Sequence, residues 1–122
     1  MNKNLCNKVG EIGQDNLIAK LFPTAKTFGV KIPAGLGVLV RGTVLALVDG
    51  VYAVLGEENT GKANCVLADE VDATEAEAVG VAYRTGHFNR KALVVADGYT
   101  MTVEDEEELR KGGILLSDMA EY

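Results

Sequence analysis

His87 is the chain's single histidine, and Cys6 and Cys65 are its only cysteines. A thiol beside an imidazole becomes a thiolate nucleophile, so a Cys65–His87 pair is the one route here to a hydrolase. Neither cysteine has flanks that resemble a nucleophile turn. Cys65 lies inside the strand-like run ANCVLA and reads as a small core side chain. Zinc sites normally draw several Cys and His ligands, and both cysteines lie far from His87 in sequence. Without a secretory signal, the two cysteines are expected as free thiols.

Residues 56–63, GEENTGKA, come close to the phosphate loop G-x-x-x-x-G-K-[ST]. The match fails on chemistry. Ala63 stands where a hydroxyl would hold magnesium, and Glu57 and Glu58 would repel phosphate. The following run reads as a strand, so no helix N-terminus faces the loop. Asp69, Glu70, Asp72, Glu75 and Glu77 lack the frame and distal glutamate of a calcium loop, which leaves a solvated acidic connection. Glu104 to Glu108 read as a charged helix start. The four tyrosines are scattered and Trp is absent, so no stacking platform for single-stranded nucleic acid stands out. No catalytic residue, metal or cofactor is expected.

The elements that would position these residues are short β-prone runs broken by glycine turns. TVLALV and VYAVL flank Asp49-Gly50, the strongest short-range hairpin signal, because both central turn residues need positive φ. These runs are continuous more than alternating, so both faces should be buried. In a small domain that pattern suggests self-association. Strands are expected over 63–68, 79–85, 91–96 and 114–116, with one turn of helix at 74–78. Between 79–85 and 91–96 lies a polar bend that presents Arg84, His87, Phe88 and Asn89 as an interface loop. Thr102 caps the one clear helix, acidic residues fill its first turn, and Gly112 offers the left-handed exit.

A chain of 122 residues suits one domain with a real core. It divides into an N-terminal arm, residues 1–30, and a β-rich body, residues 31–122. The arm lacks a sustained period, and Pro23 interrupts LIAKLFPTAK. Leu17, Ile18, Leu21 and Phe22 form a sticky patch on it; the competing reading is a short helix from Asp15 to Leu21 packed on the body. Residues 1–34 carry five lysines, Lys26 among them, against Glu11 and Asp15, a net charge of +3. The rest carries seven basic and 16 acidic residues, a net of −9. A basic leader on an acidic body suits an arm that grips a separate acidic surface. The acidic body argues against nucleic acid as ligand. No apolar run approaches the roughly 20 residues that cross a bilayer, and the start lacks the apolar core of a secretory signal, which implies a cytosolic product.

The order of these features resembles the phage head decoration proteins of the lambda type. The resemblance rests on KIPAGLGVLVRGTVL, the Asp49-Gly50 turn, ANCVLADEVDA, VAYRTGHFNRKAL, an acidic helix with Leu109, and GILL at 113–116. It implies a mainly β fold with one or two short helices, a β-clip-like bent ribbon or incomplete barrel, and a flexible N-terminal arm. It further implies a homotrimer, made in the bacterial host cytoplasm, that binds the major capsid protein at local threefold sites of the expanded shell. There it would stabilise the virion against internal DNA pressure. On this reading Leu17, Ile18, Leu21, Phe22 and Lys26 contact the capsid. The chain departs from the better-known members in a longer leader and in lacking Trp. Two other functions compete: a small peptide- or ligand-binding module using residues 86–89, and the Cys65–His87 hydrolase.

Overall fold

The computed structural model of the chain describes residues 17–20 and 24–118. Its centre is one long strand, β8 (Ala78–Asn89), to which most of the molecule is hydrogen-bonded. The other strands are β1 (Ile18–Lys20), β2 (Lys26–Ile32), β3 (Gly37–Leu39), β4 (Val44–Val48), β5 (Val51–Val54), β6 (Ala63–Leu67), β7 (Val71–Ala73) and β9 (Ile114–Ser117). One α-helix, α1 (Val103–Gly112), precedes β9. The fold is mainly β with one short helix, and its sheets are open. The main sheet runs β1-β8-β6-β4-β5, with β2 and β9 also on β8, while β3 and β7 form a separate antiparallel pair.

Neighbours line both edges of β8. Its first half pairs with β2 on one edge, through Ala78 to Thr85, and with β6 on the other, at Ala82 and Tyr83. In its second half Phe88 pairs with Ile18 of β1 and with Leu116 of β9. The β1 pairing is antiparallel and the β9 pairing parallel. A polar bend is therefore absent from residues 84–89. The strand continues through them because non-local partners satisfy its backbone on both sides. The β-prone run 91–96 is not a strand either. It begins as a single 3-10 turn, Arg90–Ala92, and pairs only where Val94 bridges Thr43.

The continuous apolar writing of TVLALV has its predicted outcome at Val44–Ala46 of β4, buried on both faces. That of VYAVL does not: in β5 Val51 is exposed and Tyr52, Ala53 and Val54 are half-buried, because β5 is the end strand of its sheet. Val44, Ala46 and Val66 join Tyr83, Phe88, Leu109 and Ile114 in one cluster. Leu45, Cys65 and Leu67 join Val30, Ile32, Leu39 and Ala82 in another, on the opposite face. Elements of the same chain supply both covers, so two-sided burial by itself does not call for a second copy. The Asp49-Gly50 turn is present with both φ positive, 52° and 81°.

Thr102 caps α1 and forms a capping box with Asp105, which satisfies two of the orphan N–H groups of the first turn. The left-handed exit falls on Gly113 (φ 107°), one residue beyond the expected Gly112. In place of a helical turn at 74–78, Asp72 accepts hydrogen bonds from the Thr74 backbone and hydroxyl. These two donors hold the Asp72 carboxyl below its ordinary range. A helix from Asp15 to Leu21 is overturned, because Ile18–Lys20 is a strand.

Candidate functional site

Alternation along β8 separates the four residues expected to share a loop. Phe88 is fully buried and packs against Tyr83, with ring centroids 5.1 Å apart. Asn89 is buried too; its side chain accepts from the Lys91 N–H. His87 is half-buried, with Nε2 3.0 Å from Ser117 Oγ on β9. Arg84 is exposed, and its guanidinium lies 5.2 Å from the Phe28 ring centroid. His87 and Arg84 line two different depressions, the first with Arg90, Glu106 and Arg110, the second with Phe28, Tyr52 and Asn64. The four do not converge on one ligand.

Of the expected arm contacts, Leu17 is a core side chain, 1% exposed. Its carbonyl accepts the Asn89 N–H at 2.7 Å, and Ile18 follows in β1. Lys26 opens β2 and is exposed. Residues 26–30, placed in the arm by composition, are built into the main sheet. Leu21 and Phe22 lie outside the described residues, as does most of the arm. A region without helical or alternating period gave no warning that β8 would recruit it through backbone pairing and the burial of Leu17.

Cys65 is completely buried, and burial pushes its thiol up to about 12. That protonated thiol sits in the second core cluster, while His87 bonds Ser117. The structure does not assemble the hydrolase pair. Among the described residues, no three His, Cys, Asp or Glu side chains gather in a metal-holding group. No helix among them is long and apolar enough to cross a membrane.

The phosphate-loop look-alike is occupied by its own protein. Asn59 caps the turn at Glu57–Asn59, accepting from the Gly56 N–H at 2.8 Å and donating to the Val54 carbonyl. The Gly61 N–H, the kind of donor a phosphate would use, donates to Asp105 at 2.7 Å. Asp105 is fully buried at the start of α1. It also accepts from the Thr102 N–H at 2.9 Å, the Thr102 hydroxyl at 3.1 Å and the Tyr99 hydroxyl. Burial raises the carboxyl's affinity for a proton, but the donors outweigh it and hold Asp105 below the usual carboxylate range. Among the five consecutive acidic residues 104–108, only Thr102-x-x-Asp105 spacing marked this one as special.

A second polar cluster ties β9 down. Arg90 makes a bidentate pair with Glu106 (2.9 and 3.0 Å) and reaches Asp118 at 2.9 Å. The partners are partly exposed, so Arg90→Ala should cost about 1 kcal/mol or less. Urea denaturation at low and high salt checks this, and the loss should shrink as salt screens the pairs.

The residues considered for catalysis, Cys65 and His87, are therefore not assembled into a reaction centre. Among the described residues the exposed large apolar side chains are all valines, Val79 (73%) and Val51 (53%) on strands and Val103 (80%) at the start of α1 among them. No curated protein sequence matches the chain. The family described as Bacteriophage lambda head decoration protein D matches residues 15–114, which run from just before Leu17 to the start of β9. A match over that span takes in both core clusters, the β8 hub and the capped helix, and the chain belongs to the bacteriophage lambda head decoration protein D family.

Proposed function

We propose that this head decoration protein attaches to the expanded shell as a homotrimer at local threefold positions and braces it against packaged DNA. Its partner is the major capsid protein, contacted by the leader with Lys26 beside it. The chain would be made in the host cytoplasm and end on the outer face of the virion. The observation that carries the reading is the rooting of the leader. Leu17 is sealed in the core and clamped through its carbonyl to Asn89, and β1 is paired with β8. A pull on the leader would therefore load the strand to which β2, β6 and β9 are also bonded. A strand that serves two sheet portions also fits a bent-ribbon, β-clip description. Leu21 and Phe22 belong to the proposed grip, while Leu17 and Ile18 act as its anchor.

A shell under pressure fails where neighbouring capsomers part. A trimer spanning three of them adds binding free energy that must be lost first. A standard interface buries about 1,600 Å² in total, and repetition over many sites makes modest affinity at each one consequential. The leader supplies main-chain hydrogen bonds if it adds to a sheet edge.

Deleting residues 1–16 together with Leu21→Ser and Phe22→Ser tests the grip and leaves the core residue Leu17 in place. The truncated protein should keep its circular dichroism and its three-chain mass by light scattering. Its attachment to expanded heads should fall by about tenfold or more, a loss of at least ~1.4 kcal/mol per site. Undiminished attachment would overturn the leader's role, and a single-chain mass for the full protein would overturn the trimer.

A further inference from the structure

We infer that the face around Arg84 is where one copy of this chain meets the next, and that it docks on the acid-rimmed hollow around Glu57, Glu58 and Asp97 of that neighbour. The inference rests on the trimer reading and supplies the two surfaces it requires. A closed ring of three is made of heterologous contacts, so each copy must present two different, mutually complementary patches.

The first patch is defined by an arginine without an acceptor. Arg41 donates to the Ala68 carbonyl and the Tyr83 hydroxyl, Arg90 to Glu106 and Asp118, and Arg110 to Glu107. Arg84 alone among the described arginines has neither a carboxylate nor a hydrogen-bond acceptor among the described residues. It is held over the Phe28 ring, beside Tyr52 and Asn64, and is solvent-exposed. An arginine stacked on one aromatic ring beside another matches the make-up of interface centres. The adjoining β4–β5 turn adds exposed Val48 and Val51, which face each other across the hairpin.

The second patch is its electrostatic opposite. A hollow of about 380 Å³ has Leu36, Val54 and Tyr99 among its lining, rimmed by Glu57, Glu58 and Asp97, and no basic residue lines it. The carboxylates of α1 from Asp105 onward, and Asp118, are engaged at home: Asp105 with its donors, Glu106 and Asp118 with Arg90, Glu107 with Arg110, and Glu108 with Lys111. Glu57, Glu58 and Asp97 have no ion pair among the described residues. An apolar floor inside an acidic rim suits a cation carried on an apolar or aromatic base, which is what Arg84 on Phe28 presents. Charges at such a rim fix orientation and register more than they add affinity.

Charge reversal tests the match. All the altered side chains are solvent-exposed, so the fold should persist, with circular dichroism as control and Arg84→Gln as the milder variant. Light scattering at micromolar concentration should show a three-chain mass for the unaltered protein. Arg84→Glu should drop it toward one chain, as should Glu57→Lys with Glu58→Lys. Combining the three substitutions should restore the trimer, and the restored contact should weaken in high salt. Trimers that survive both single-sided reversals overturn the inference, as does a combined variant that stays dissociated. Trimers of Arg84→Glu that no longer attach to heads would place the patch against the shell, which also overturns it. A single-chain mass for the unaltered protein defeats the trimer reading itself, a distinguishable result.

Discussion

Gly86→Ala is expected to lower the stability of the folded chain by about 3–5 kcal/mol, a large part of the ~5–15 kcal/mol that a domain of this size has. Two independent effects add. Gly86 has φ 147°, a backbone conformation that a side chain strains. A Cβ there would also lie 2.7 and 2.8 Å from two carbons of the Phe88 ring. That ring has nowhere to go, because Phe88 is fully buried against Tyr83. Denaturant midpoints for Gly86→Ala, Phe88→Leu and the double variant separate the two effects. If the clash contributes, the double variant should lose less than the sum of the singles. Strict additivity would leave the backbone conformation as the whole cause.

Asp105→Ala should cost about 2–4 kcal/mol, because it leaves the part-buried Gly61 and Thr102 N–H groups and the Tyr99 hydroxyl without their acceptor. The loss joins three parts of the molecule at once: the 56–61 turn, Tyr99 and the N-terminus of α1. Asp105→Asn keeps the shape and removes the charge, and it carries the pH signature. The folded-state carboxyl titrates below its unfolded value, held there by the donors against the opposing effect of burial. Its stabilisation is therefore complete above the unfolded value of about 3.9 and disappears as pH falls through the folded value. Wild type should exceed Asp105→Asn most clearly at neutral pH, with the gap closing in acid below about pH 4. Thermal melts across that range measure it. A gap that stays constant down to pH 2 would show that the charge contributes nothing.

What the sequence made legible was local. Asp49-Gly50 specifies its turn by the φ values it tolerates, and both strands of that hairpin lie where the pattern put them. Thr102 and the acidic turn after it specify a helix start in the same way. The unbroken apolar run of β4 announced burial on both faces, though not that the chain itself covers each one, while the same writing in β5 overstated its burial. The failures are non-local. Gly86 between polar neighbours looks like a bend, yet Ile114 of β9 pairs with it and β1 pairs with His87 and Phe88 just beyond, so the strand runs on through it. Leu17 sits in a stretch without period, so nothing marked it as core before its partner strand was known. Asp105 is one carboxylate among many until Gly61 and Tyr99 arrive from elsewhere in the chain. The candidate contact surfaces have the same character: Arg84 and Phe28 are brought together by the β2–β8 register, with no adjacency in sequence to reveal them.

The arrangement of β1 and β9 on either edge of Phe88 has a practical consequence. Two strand spacings separate Ile18 from Leu116, roughly 10 Å. Because one strand runs antiparallel and the other parallel to β8, Leu17 and Ser117 both come out at Asn89. A guest protein fused behind Ser117 would thus be displayed at the foot of the leader. Bulky cargo there would crowd the segment proposed to grip the shell, and a long linker would relieve it.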